Sequence, residues 1–181
     1  MACDRGSYVT VESTRPAPAL QILRIIAAAF MIVPIFIGLA LAFVFVPHGG
    51  SGAFGPKLLV PVILGAAAFL FQVTFGFRAP AIAVGAPRRS YLPDFQSRMF
   101  IRLALAEVVL FVSLALAFVW SDTGFVMYAV GAAVTEILLI VNGWPSQRVI
   151  EKFRRNLERD GGQSYLSEDL GLPTTGLSTA L

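Results

Sequence analysis

A chain of 181 residues that is 56% hydrophobic and only 14% charged, with a mean hydropathy of +0.75, lies far from the roughly 25% charge of a soluble globular domain. That balance excludes a water-soluble catalytic domain and points to a membrane protein. The net charge of +3 and the pI of about 9.4 reflect arginines placed beside apolar runs rather than one folded basic face, so nucleic acid is not an expected partner.

Residues 1–19 form a polar segment holding the single cysteine, Cys3, so no disulfide can close within the chain. No apolar signal region precedes Cys3 to mark it as a lipoprotein anchor. The first apolar run, 20–46, is broken only by Arg24 and Pro34 and is too long for a signal-peptide core, so a retained helix is expected. The turn PHGGSGAFGPK follows, with His48, the only histidine, expected to be solvated rather than a metal ligand. Further apolar runs cover about 58–77, 99–120 and 125–144, the last two parted by the short turn SDTG. Each is near the roughly 20 residues that cross a bilayer core of about 30 Å as a helix, and helices satisfy their own backbone polar groups. The expected fold is all-α: four transmembrane helices in one domain, 20–144.

Basic residues set the expected orientation. Arg5, Arg15 and Arg24 precede or open helix 1, Arg78, Arg88, Arg89, Arg98 and Arg102 flank the helix 2–3 loop, and five more cations follow helix 4, whereas the other two loops carry only Lys57. The positive-inside rule then places both termini and the middle loop in the cytoplasm, with the cytoplasmic (plasma) membrane as the expected location. The AIAV stretch of the middle loop is expected to lie at the membrane surface.

Residues 145–160 read as a basic amphipathic helix. Val149, Ile150, Phe153 and Leu157 recur at helical spacing, with Arg148, Lys152, Arg154, Arg155 and Arg159 elsewhere. Its apolar face is expected either to lie on the inner leaflet or to dock on a cytoplasmic partner. With Arg88 and Arg89, these cations are expected to contact anionic lipid or a partner. The polar stretch 161–181 is expected to be disordered.

A weak repeat links GLALAFVF (38–45) with SLALAFVW (113–120) and GAA (65–67) with GAA (131–133), at offsets of 75 and 66. The longer first outer loop accounts for the difference, so a duplicated helical hairpin is self-consistent. Under that alignment Glu107 matches Ile32 and Glu136 matches Leu70, leaving the acids in the second hairpin alone.

Those acids are the main lever on function. Glu107 lies eight residues, about 12 Å, into helix 3, and Glu136 lies eight residues from the same face of helix 4. Carboxylates inside a span cost roughly 2.5–3.5 kcal/mol, face the bundle interior and mark pathways or sites. Gln72, Thr74, Thr135, Asn142 and Arg102 are candidate companions, although Arg102 is off the favoured helical spacing to Glu107 and can snorkel to the headgroups. The pair is read either as interhelical hydrogen-bonding groups, as a proton or cation pathway, or as contacts to another subunit.

In architecture the chain is comparable to the duplicated-hairpin proteolipids of rotary ATPases and the small multidrug transporters, which also use an intramembrane glutamate. It departs from both: it lacks the dense glycine repeat of the proteolipids, and helix 1 carries no glutamate. No hydrolase elbow, P-loop, HExxH or Cys/His cluster is present, so no enzyme, cofactor or metal site is expected beyond the remote reading of acid–base chemistry on lipid by Glu107 and Glu136. Two classes remain. One is proton- or cation-coupled transport through a homo-oligomer; the other is an accessory or assembly subunit of a larger membrane complex.

Overall fold

A computed structural model describes residues 18–45, 55–120 and 122–172. The N-terminal polar segment, the turn with His48 and the last residues of the tail lie outside the described residues. Those described form helices and connecting turns: α1 (Pro18–Phe45), a 3-10 turn (Pro56–Leu58) running into α2 (Leu59–Thr74), α3 (Leu92–Val119), α4 (Gly124–Leu138) continued by a π turn (Leu139–Gly143), α5 (Gln147–Leu157) and α6 (Leu166–Asp169). Four of these helices are long and apolar enough to cross a membrane. The protein is therefore read as a small integral membrane protein.

Glycine and serine govern the close approaches. A methyl group on Gly131 of α4 would run into Ser113 of α3, and one on Gly38 of α1 would lie 3.2 Å from the Tyr128 ring. The bare Gly38 lets the Tyr128 hydroxyl reach α1, where it donates to the Pro34 carbonyl at 2.6 Å. Between helices in lipid, such small-residue contacts supply the van der Waals packing that the hydrophobic effect does not. Outward-facing residues such as Ile25, Phe36, Phe43 and Ile63 are exposed and apolar, as a lipid-facing surface requires.

The two ends of the bundle are closed differently. At one, Lys57 Nζ donates to Asp122 at 2.8 and 3.0 Å and lies over the Trp120 ring, tying the start of α2 to the α3–α4 turn. The hydrogen bond from Lys57 holds the Asp122 carboxyl below its usual range.

The other end carries a cap that overturns two expectations. The apolar face of α5 neither lies on a leaflet nor waits for a partner: Val149, Ile150, Phe153 and Leu157 are buried in the main core, with Phe153 set edge-on to Phe95 at 5.4 Å. This is possible because α3 begins at Leu92, well before the apolar run at 99, so its first turns stand beside α5. Within the AIAV stretch Ile82 is buried against α5, its N–H donating to the Leu157 carbonyl at 2.8 Å, while Ala83 and Val84 stay exposed. Nor is the whole of 161–181 without structure. The chain turns at Gly161 (φ 86°), and Leu166 and Leu170 enter the same core.

Removing a buried ring leaves a cavity, so Phe153→Ala is expected to destabilise the cap by about 3–5 kcal/mol. Hydrogen exchange should show faster opening of α5 and α6 than of α3 and α4. At the opposite end, the folded Asp122 pKa is lowered, so its contribution is present at neutral pH and is lost as pH falls through that lowered value. A small gap in detergent melting midpoint between the wild type and Asp122→Asn should therefore close on acidification.

Candidate functional site

The polar residues inside the spans fall into two groups. The first is a hydrogen-bonded bridge near the capped end. Gln72, fully buried on α2, donates from Nε2 to the Arg102 carbonyl of α3 at 2.8 Å and accepts at Oε1 from Asn142 Nδ2 at 2.9 Å. Asn142 reaches it from the π turn, where the Trp144 N–H bonds the Leu139 carbonyl at 2.7 Å and the widened backbone turns the side chain inward.

Arg102 itself is fully buried, and its guanidinium nitrogens meet no acceptor among the described residues. It lies over the Phe77 ring at 4.4 Å and within 5.9 Å of Phe95, while Lys152 approaches Phe77 at 4.1 Å. Such cation–π contacts offset part of the lost hydration. Gly76 makes room, since a methyl group there would stand 2.7 Å from Arg102 Cγ. Arg102 forms no ion pair with either glutamate and does not reach solvent.

The second group lies where α1, α3 and α4 meet. Glu107 is only 7% exposed, and one oxygen of each glutamate, Oε1 of Glu107 and Oε1 of Glu136, is buried without a hydrogen-bond partner. Glu107 lies within electrostatic reach of Glu136, and Tyr128 within reach of both. Thr135 belongs to this level too, its hydroxyl donating to the Ala106 carbonyl at 3.2 Å and locking α4 to α3 beside Glu107. Thr74 does not, because it bonds back to its own helix at the Leu70 carbonyl.

Glu107 also lines a groove of about 460 Å³ between α1 and α3, whose walls are Ala29, Phe30 and Val33 on one side and Ala104, Val108 and Phe111 on the other. Tyr128 and the groove were not among the residues singled out from sequence. Pro34 was the available signal, since a proline inside a span often marks a non-regular helix contact.

On the surface of the cap, several cations are already matched. Arg88 pairs with Glu168, Arg89 with Asp94, Arg154 and Arg155 with Glu151, and Arg159 with Asp160. Arg148 and Lys152 have no carboxylate in ion-pair range among the described residues. The chain as a class is a small polytopic membrane protein whose apolar helices hold two glutamates. Comparison with protein-family models, curated proteins and solved structures gives no match.

Gln72→Leu would strand the Asn142 amide in an apolar interior, a penalty of about 1–3 kcal/mol. The expected outcome is a lower melting midpoint for Gln72→Leu than for Gln72→Glu at a pH where the introduced carboxyl is protonated, since that variant keeps an acceptor.

Proposed function

We propose that the protein is a proton- or cation-coupled transporter in which Glu107 and Glu136 together hold the exchanged charge. The observation that carries this reading is that both carboxyls sit within the spans with a buried oxygen that receives no donor, and that neither has a cation in ion-pair range among the described residues. A glutamate retained only as interhelical glue would be bonded to its neighbour. Two carboxyls within electrostatic reach of each other resist ionising together, so a proton or a cation arriving at the pair relieves that repulsion.

The same reading takes both termini and the cap as cytoplasmic, in keeping with the positive-inside rule and with the concentration of arginines at that end. Arg148 and Lys152, which lack carboxylate partners, would there face anionic headgroups. Assembly into a homo-oligomer would shelter a pathway that one four-helix bundle leaves open to lipid.

Reconstitution into liposomes with an imposed pH gradient tests the reading. Glu107→Gln and Glu136→Gln should insert normally and each slow glutamate-dependent proton flux by at least roughly tenfold, the order expected when an obligatory proton acceptor is removed. Wild-type flux in both variants, or no flux above empty liposomes in the wild type, would remove transport. The accessory-subunit reading would replace it, since that role tolerates a neutral isostere.

A further inference from the structure

We propose that the turn after α2 seats the headgroup of an anionic phospholipid, with the phosphate held between Arg78 and Arg98 and the acyl chains laid along Phe75 and Phe71. The inference uses α2 as a membrane span and stands apart from the transport reading and its glutamates.

Phe75, Gly76 and Phe77 follow the last residue of α2, so this turn falls where an apolar helix leaves the hydrocarbon. Four cations converge on it. The Arg78 guanidinium lies over the Phe75 ring at 4.6 Å, and Arg98 reaches across from α3 to donate to the Phe75 carbonyl at 3.4 Å. Lys152 and Arg102 lie over the ring of Phe77 at 4.1 and 4.4 Å. Arg102 is sealed and adds only positive potential, whereas Arg78 and Lys152 are exposed and Arg98 is half-buried.

None of the four has a carboxylate in ion-pair range among the described residues. Asp94 stands one turn before Arg98 on α3 but is engaged by Arg89 at 3.1 Å instead. The charges of the cap are thus sorted. Arg88, Arg89, Arg154, Arg155 and Arg159 are each matched by an acid, while the cations at the end of α2 are left to repel one another. An anion with more than one acceptor oxygen relieves that repulsion and takes charge-assisted hydrogen bonds from the guanidinium groups.

The surroundings select a phospholipid as the source of that anion. Phe71 and Phe75 stack at 4.5 Å and are 46% and 43% exposed, so an apolar bed runs from the cations along the span. Free phosphate would leave this bed uncovered. A zwitterionic headgroup would bring its own ammonium among four cations with no carboxylate to receive it. The cap of a second copy offers little, because its Asp94, Glu151 and Glu168 are bonded to their own arginines.

The test is native mass spectrometry of the full chain in a mild non-ionic detergent, titrated with phosphatidylglycerol. A discrete single adduct is expected, with phosphatidylcholine bound roughly tenfold more weakly. Arg78→Gln combined with Arg98→Gln should weaken the adduct by roughly tenfold or more, each juxtamembrane cation contributing about fivefold. Arg78→Gln alone, at an exposed position, should weaken it with the detergent melting midpoint unchanged. Arg88→Gln combined with Arg89→Gln removes the same formal charge from arginines that are already paired, and should leave the adduct as it is. Equal binding of the two lipids, undiminished binding in the Arg78 and Arg98 variants, or an equal loss in the Arg88 and Arg89 variant would overturn the proposal. So would inorganic phosphate that binds as well as the lipid, which would make the turn an anion site without an acyl bed. Glu107→Gln should keep the adduct, so failure of the lipid seat and failure of the transport reading are separately visible.

Discussion

Gln72 holds α2, α3 and α4 in one register, and the placement of the acidic residues follows from it. Inside an apolar span a broken hydrogen bond cannot be traded for one to water, so an amide bonded at both ends fixes its partners strongly. Its donor grips the Arg102 carbonyl and its acceptor receives Asn142, which sets both the height and the rotation of α3 against its neighbours. Glu107 lies five residues beyond Arg102, roughly 140° around the helix at about 3.6 residues per turn. With the Arg102 carbonyl turned toward α2, Glu107 is turned toward α1. Thr135 repeats the constraint one level on by bonding the Ala106 carbonyl.

The cap solves a different problem. A short basic helix after a span would normally leave its apolar stripe to a leaflet. Here the extended start of α3, the α2–α3 loop and the segment around α6 cover that stripe, and the loop is pinned by the Asn156 side chain donating to the Phe77 carbonyl at 3.1 Å as well as by the Ile82 bond to Leu157. Most arginines of the cap are then spent on neighbouring carboxylates. What α5 presents outward is polar, its apolar stripe being buried, which argues that the cap serves to order the ends of α2, α3 and α4.

The four spans were legible because twenty apolar residues admit few alternatives, and the helical spacing of Val149, Ile150, Phe153 and Leu157 was enough to place α5. What covers α5 was not legible. The residues that do so, Phe95, Ile82, Leu166 and Leu170, are scattered over three segments whose local composition is polar or turn-like, and only tertiary contact gives them a common core. The two glutamates stood out by cost alone. Their relation to Tyr128 and to the α1 groove depends on the rotation of each helix, which apolar periodicity fixes poorly when all faces are apolar. Arg102 is the sharpest case: its headgroup-side position suggested snorkelling, yet the cap extends beyond it and closes over the guanidinium.

Arg102 presents donors without acceptors and Glu107 an acceptor without a donor, on the same helix and little more than a turn apart. An ion pair between them would offset much of the desolvation of both, and leaving each uncompensated is the costlier arrangement. The fold nonetheless keeps them apart: the guanidinium is stacked on Phe77 and Phe95, and Gly76 gives it the space to stay there. A fixed arginine beside Glu107 would occupy the carboxylate permanently and close it to any mobile cation. Holding Arg102 on aromatic faces leaves both carboxyls without a cationic partner among the described residues, the arrangement on which the proposed exchange of a proton or cation depends.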